Sequence, residues 1–189
     1  MLFTYDTEET LTLTGVLVNS VAGSSHSNED ELTTVERMDA LLDEHEYSGR
    51  RDHGAAELAE VRALRVELRE FWNIDRVTAV ERVNGILHDA HAVPRLVRHG
   101  GWDWHLHATE PDAPLATRIR VEVAMAVIDV LRLDELDRFR ICAADDCEAV
   151  LVDLSRNRSK RYCDVGNCGN RMNVNAYRAR RGGGGRSSG

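Results

Sequence analysis

Four cysteines constrain this 189-residue chain more than any other feature, since all of them lie between positions 142 and 168. Cys142, Cys147, Cys163 and Cys168 form the pattern C-x4-C-x15-C-x4-C. Two matched pairs at this spacing are typical of a zinc finger, because four thiolates complete the tetrahedral shell of the metal. We therefore predict one structural Zn²⁺ at these residues. Iron is the main rival metal, and four independent buried thiols are the alternative without one.

Length and composition favour a helical protein with one small appended module. A chain of this size can bury one ordinary core and still leave room for a second unit. Charged residues make up 30% and aromatic residues 5% of the sequence, which is typical of a helix-rich globular protein. We predict a mainly α fold with minor β: a helical domain over 1–139, a zinc finger over 140–181 and a disordered Gly/Ser-rich tail over 182–189.

The chain contains no stretch that approaches the roughly 18 apolar residues of a membrane span. Its start is acidic, whereas a signal peptide begins with basic and then apolar residues. We expect a cytoplasmic protein with no membrane contact. In that reducing compartment the cysteines are expected to be metal ligands rather than disulfides.

Apolar residues recur at helical spacing over 32–47, 55–72, 77–87 and 115–133. The earlier segment 11–18 fits either a strand or a helix. Residues 96–97 and 102–107 flank Gly100-Gly101, and their alternation predicts a β-hairpin. That alternation places Trp102, Trp104 and Leu106 on one side and Asp103, His105 and His107 on the other.

The zinc finger is predicted to resemble a treble clef. Between the cysteine pairs, residues 149–152 followed by 155–158 predict a small β-hairpin with a basic tip. A helix can begin after Cys168. Because the site is closed by four sulfurs, it leaves no position at which zinc could activate water.

Charge is unevenly distributed along the chain, whose net charge is −8. From Cys142 onward nine basic residues face five acidic ones, a net of +4, so the first 141 residues carry −12. DNA is the predicted partner, because Lys and Arg displace the counterions of phosphates. The candidate contacts are Arg156, Arg158, Lys160, Arg161, Arg171, Arg178, Arg180 and Arg181. The alternative is that these side chains are solvated, or that Arg161 and Arg171 offset the −2 charge of the zinc site.

The residues around the second cysteine pair resemble a known family. The segments Arg161-Tyr162-Cys163, Cys168-Gly169-Asn170-Arg171 and Arg178-Ala179-Arg180-Arg181 resemble the CGNR zinc-finger proteins of bacteria, whose finger follows an N-terminal ABATE domain. Residues 17–20 resemble the opening of that domain. The resemblance implies a stress-linked transcription regulator. Tyr162 replaces the tryptophan usual in the family, and Asn173 replaces a common lysine, which removes one possible phosphate contact.

Five histidines within 88–107 could form a second metal site, although solvated histidines on a helix end and a hairpin face are the favoured interpretation. They are His88, His91, His99, His105 and His107. Trp72, Trp102 and Trp104 are predicted to anchor the core rather than to line a ligand pocket. Asn19 is predicted to cap the following turn rather than to point into such a pocket.

The sequence therefore predicts a zinc-dependent, DNA-binding transcription regulator. Its N-terminal domain could sense a small-molecule effector, and a homodimer would strengthen the weak binding of one finger. The alternative is a protein-interaction or ligand-binding regulatory module whose finger docks on a protein partner. Catalysis is not expected, because the chain has no nucleophile elbow, phosphate-binding glycine loop or HExxH motif.

Overall fold

The computed structural model describes residues 2–24, 27–99, 101 and 103–183, with backbone alone at 179 and 181–183. Three predictions fall wholly or partly outside the described residues: the core role of Trp102, the DNA contact by the Arg181 side chain and the disordered tail over 182–189. Of that tail, residues 182 and 183 are described as the end of a helix, and 184–189 lie outside. Among the described helices, none is both long and apolar enough to cross a membrane.

The described residues form six α-helices and two small antiparallel hairpins, which confirms the predicted mainly α fold with minor β. The helices are α1 (Tyr5–Asn19), α2 (Val35–Glu44), α3 (Ala55–Arg69), α4 (Arg76–Asp89), α5 (Leu115–Arg132) and α6 (Cys168–Gly183). The strands are β1 (Arg95–Val97), β2 (His105–His107), β3 (Phe139–Ile141) and β4 (Val150–Val152).

Helix α5 lies at the centre of the helical domain, where α1, α3 and α4 pack against it. Ile119, Val123, Val127 and Val130 of α5 are buried in the main core. Their spacing of three and four residues places them on one face of the helix. Burying each such side chain contributes roughly 1.5–3 kcal/mol, so this face is the main anchor of the domain.

Helix α1 resolves the ambiguity of segment 11–18, whose alternating threonines also fit a strand. Leu11 and Leu17 are buried in the core. Thr12 and Thr14 donate their hydroxyls to the carbonyls of Glu8 and Thr10, at 2.8 and 2.6 Å. This bond to the preceding turn lets threonine fit inside a helix, and the two hydroxyls need no strand partner.

The hairpin β1–β2 confirms the predicted pairing, with Arg95 opposite His107 and Val97 opposite His105. Its orientation, however, is the reverse of the expected one. Trp104 is 63% exposed, so its predicted role as a core anchor is wrong, while His105 is buried. Trp72 does lie in the core, 7% exposed, and donates its indole N–H to the Leu151 carbonyl at 2.9 Å.

The hairpin β3–β4 differs from the one predicted in the finger. Strand β4 pairs with β3, which precedes the first cysteine, and not with residues beyond a tip at 155–158. The loop is instead held by the buried Asp153 carboxylate, which accepts hydrogen bonds from the backbone N–H groups of Ser155 and Lys160, both at 3.0 Å. Because these N–H groups are taken by a side chain, the loop cannot continue the ladder.

The same hairpin joins the finger to the helical domain across the predicted boundary at 139/140. Phe139, Val150 and Val152 belong to the main core. At the last residue of α1, the Asn19 amide donates to the Val150 carbonyl and accepts from the Val150 N–H, both at 2.8 Å. Asn19 therefore extends the sheet instead of capping a turn.

Candidate metal centre

The four cysteine sulfurs converge at the end of the β3–β4 hairpin. All four Sγ atoms lie within 4.8 Å of one another. The Sγ atoms of Cys147 and Cys163 are 3.6 Å apart, and those of Cys163 and Cys168 are 3.7 Å apart. A zinc tetrahedron with bonds of about 2.3 Å has edges of about 3.8 Å. The separations therefore match the shell of one zinc ion.

Local backbone structure places each pair of cysteines. Cys142 follows β3, and the knuckle that carries Cys147 is closed by bonds from the Cys142 N–H to the Ala149 carbonyl (2.8 Å) and from the Cys147 N–H to the Ala144 carbonyl (3.1 Å). Cys168 is the first residue of α6, after Asn167 at a positive φ of 50°. A short polar residue accepts this left-handed conformation, which turns the chain into the helix.

Donors around the sulfurs offset the negative charge of four thiolates. The Cys163 N–H lies 3.4 Å from the Cys142 sulfur, and Arg171 Nη2 lies 3.3 Å from the Cys168 sulfur. Although burial disfavours the Cys142 thiolate, backbone N–H groups of Cys163 and Ala144 hold the pKa of its thiol below the usual range. The N-terminus of α6 adds the positive end of a helix dipole.

Geometry and donor set together fit one structural zinc ion held by the four cysteines, as predicted. Four sulfurs close the tetrahedron, so the metal would serve to fix the knuckle against the first turn of α6. This short module has little core of its own, which makes the metal a large part of its folding free energy.

Three of the predicted nucleic-acid contacts are engaged with acidic side chains. Arg158 pairs with Glu135 at 2.7 Å and Asp137 at 3.0 Å, and Lys160 pairs with Asp164 at 2.5 Å. Arg171 binds both carboxylate oxygens of Asp146 at 2.8 Å. Contact with DNA by these side chains stays a prediction, and each contact would have to compete with an ion pair.

Four other candidate DNA contacts form no ion pair among the described residues. Within the part of the chain that the structure describes, Arg156, Arg178 and Arg180 have no ion-pair partner. Arg161 lies over the Tyr162 ring at 5.8 Å. Residues 173–178 of α6 are exposed without exception. This part of the helix therefore projects from the finger, and it carries Arg178 and Arg180.

A second cluster lies on the β1–β2 hairpin, at histidines predicted to be solvated. The Nε2 atoms of His99, His105 and His107 approach one another to 3.0–3.2 Å. Burial, together with His105 and His99, lowers the pKa of His107 to about 4. The hairpin register could have revealed this cluster, because Val97 opposite His105 puts positions 99, 105 and 107 on one face.

His88 and His91 do not join that cluster. Their rings lie against each other at the end of α4, with centroids 6.5 Å apart. A cavity of about 200 Å³ opens beside the three hairpin histidines and is also lined by Tyr47, Glu122 and Asp129. Burial raises the pKa of the Glu122 carboxyl to about 7.

A helical domain joined to a four-cysteine zinc finger defines the class of this protein. Two family comparisons then give its affiliation. Residues 13–133 match ABATE, described as "Putative stress-induced transcription regulator", and residues 138–181 match the CGNR zinc finger. The chain belongs to the ABATE family, and a CGNR zinc finger follows that domain, in the predicted order. No curated protein matches the chain.

Proposed function

We propose that this protein is a zinc-dependent DNA-binding transcription regulator that contacts DNA through α6. The family description supports a role in transcription regulation. Contact with DNA is our own inference from the finger. The helical domain carries the acidic part of the chain and would repel phosphates, so contact is expected at the finger alone.

The projecting α6 is the observation that carries this proposal. Its first turn is fixed by Cys168 and Arg171, while residues 173–178 are exposed on every side. Sixteen residues give a helix about 24 Å long. A helix about 10–12 Å wide fits the major groove, which is about 12 Å wide.

Side chains on α6 match the chemistry of both DNA backbone and base edges. Arg178 and Arg180 have no ion pair among the described residues, so their charge is available to phosphates. Asn173 and Asn175 are exposed on the same helix, and an asparagine amide can bind adenine through two hydrogen bonds. So few contacts bind weakly, which is why we also propose a homodimer on DNA.

The salt dependence of duplex DNA binding tests this proposal. Each arginine that no longer neutralises a phosphate lowers the magnitude of the slope of log K against log salt by about 1. The double variant Arg178→Ala/Arg180→Ala should therefore lower the slope by about 2 and leave the zinc content unchanged. Arg37→Ala is the matched control, because Arg37 is exposed on α2 and has no ion pair in the described part of the chain.

Two results would overturn the DNA proposal. One is an affinity of the unchanged protein that hardly varies between low and physiological salt. The other is an equal decrease of slope in Arg37→Ala and in the double variant, since this would locate the attraction outside α6.

A protein-docking finger is the second candidate, and two exposed apolar side chains favour it. Val174 and Tyr177 are 46% and 52% exposed. Their spacing of three residues places them side by side on α6, as in a helix that docks into a groove. Val174→Ser/Tyr177→Ser should then abolish partner binding, whereas it should change the salt slope of DNA binding little.

A ligand-sensing role for the helical domain is a further part of the proposal. The cavity of about 200 Å³ beside Tyr47 and Glu122 is large enough for a small molecule and lies on the central helix α5. It supports an effector site.

A further inference from the structure

The three histidines of the β1–β2 hairpin have the geometry of metal ligands. The Nε2 of His105 lies 3.2 Å from that of His99 and 3.0 Å from that of His107, and the last two are 3.2 Å apart. Zinc held by imidazole at about 2.0–2.1 Å has nitrogens about 3.3 Å apart in a tetrahedron. The triangle is therefore close to one face of such a shell.

A hydrogen bond behind the His105 ring and a carboxylate behind the His107 ring favour lone pairs directed at the centre of the triangle. His105 Nδ1 lies 2.8 Å from the Asp103 carbonyl, which can only accept, so Nδ1 carries the proton and Nε2 the lone pair. His107 Nδ1 lies 3.5 Å from the Glu122 carboxylate. A carbonyl or carboxylate behind the ring is the usual support of a metal-binding histidine.

The fold holds this triangle in place from two elements. Strand pairing puts His105 and His107 on the same face of β2, and His99 follows β1 on the opposite strand. The Val93 N–H donates to the Ala108 carbonyl at 2.9 Å and closes the other end of the hairpin. Glu122 comes from α5, so the site spans the hairpin and the central helix.

The triangle borders a cavity. The volume of about 200 Å³ is lined by all three histidines and by Glu122, Tyr47 and other residues of α1 and α5. Three protein ligands with an accessible fourth position are the arrangement that leaves room for water or a small anion on the metal.

We propose that His99, His105 and His107 bind one divalent transition-metal ion, with zinc as the best geometric match. The fourth ligand enters from the cavity and is water or a small anion. This site is separate from the finger, and its metal binding can be measured without DNA. It would make the helical domain a metal-dependent ligand-binding unit.

Metal stoichiometry of the full chain, purified without a histidine tag, tests the proposal. The finger accounts for one zinc, so the unchanged protein should bind two zinc ions per chain. His105→Ala and His107→Ala should bind one. His88→Ala is the matched control and should bind two, because His88 lies outside the triangle.

Variants and cobalt substitution separate loss of a ligand from loss of the fold. His99→Ala changes a residue beyond the end of β1 and should also reduce binding to one ion with the helical circular dichroism unchanged. Cobalt at the finger shows a thiolate charge-transfer band, and this band should persist in all three histidine variants. Glu122→Gln should weaken the second ion by about 10–100-fold, as expected for the support of a ligand.

The proposal fails if the unchanged chain binds one zinc ion only. It also fails if a folded His99→Ala or His107→Ala variant retains the second ion at the original affinity. Either result would mean that the three imidazoles only form hydrogen bonds with one another and bind no metal.

Discussion

Replacing Asn19 by alanine tests how the helical domain holds the zinc finger. The Asn19 side chain is buried and forms two 2.8 Å hydrogen bonds with the backbone of Val150 in β4. Val150 stands opposite Ile141 in the ladder. The Cys142 N–H bonds to the Ala149 carbonyl, which makes Val150 a position whose N–H and C=O point away from β3.

The cost of this substitution follows from the two backbone groups that lose their partner. Each buried, unsatisfied N–H or C=O group costs about 1–3 kcal/mol. Water can reach the gap left by the shorter side chain and recover part of that cost. We expect Asn19→Ala to lower the free energy of unfolding by about 2–4 kcal/mol.

Urea denaturation of the zinc-loaded protein measures this difference. Thr12→Ala is the control on the same helix, because the Thr12 hydroxyl bonds to the carbonyl of the preceding, exposed turn, and it should change the stability by less than about 0.5 kcal/mol. Asn19→Ala and Thr12→Ala with equal stabilities would refute the reasoning that Asn19 joins the two parts of the chain.

Two further predictions concern the metal and an ion pair. Cys163→Ser should release the finger zinc and unfold α6 while α1–α5 stay folded, measured by metal content and circular dichroism; loss of the whole cooperative transition would contradict the domain division. Hydrogen bonds from the buried Arg65, at 2.8 and 3.0 Å, hold the pKa of Asp30 below its usual 3.8. Asp30→Asn removes the carboxylate partner of the Arg65 guanidinium and should therefore lower the free energy of unfolding by about 1–3 kcal/mol at neutral pH. Because the pKa of Asp30 is lower in the folded than in the unfolded protein, its carboxylate stabilises the fold at every pH above the unfolded pKa. The stability difference between the unchanged protein and Asp30→Asn should therefore persist down to about pH 4 and shrink only below it. A difference that already vanishes at pH 6 would contradict this.

Periodicity predicted the helices α2–α5 because each buries one continuous face. The same reasoning left segment 11–18 open, since threonines at every second position fit a strand. The structure shows what sequence spacing lacks: Thr14 bonds to the carbonyl of Thr10, four residues earlier. Because the threonine hydroxyl finds its hydrogen-bond partner within its own helix, alternating threonines do not distinguish a strand from a helix.

Alternation predicted which hairpin residues share a face but not which face turns inward. Trp104 is the larger apolar side chain, yet it is 63% exposed while His105 is buried. The orientation of the hairpin depends on α5, because Glu122 of that helix contacts His107. The local sequence pattern of the hairpin carries no information about this contact.

Cysteine spacing predicted the four zinc ligands completely, because the metal imposes both the ligand type and the distances. The predicted strand pairing in the finger was wrong, and the reason is physical. The knuckle between Cys142 and Cys147 serves as the turn of the hairpin, and the polar segment 155–158 is a loop tied to Asp153. The sequence also could not show which arginines form ion pairs. Arg158, for example, pairs with Glu135 and Asp137, which lie more than twenty residues earlier in the chain.

Genome-wide occupancy in cells tests most directly whether the zinc-held helix α6 binds DNA. We predict discrete occupied sites for the intact protein and for Arg37→Ala at equal protein levels. These sites should disappear both in Cys163→Ser, which cannot hold zinc, and in Arg178→Ala/Arg180→Ala, which keeps it. Occupancy that is unchanged in both variants, or the absence of any zinc-dependent site, would contradict the proposal.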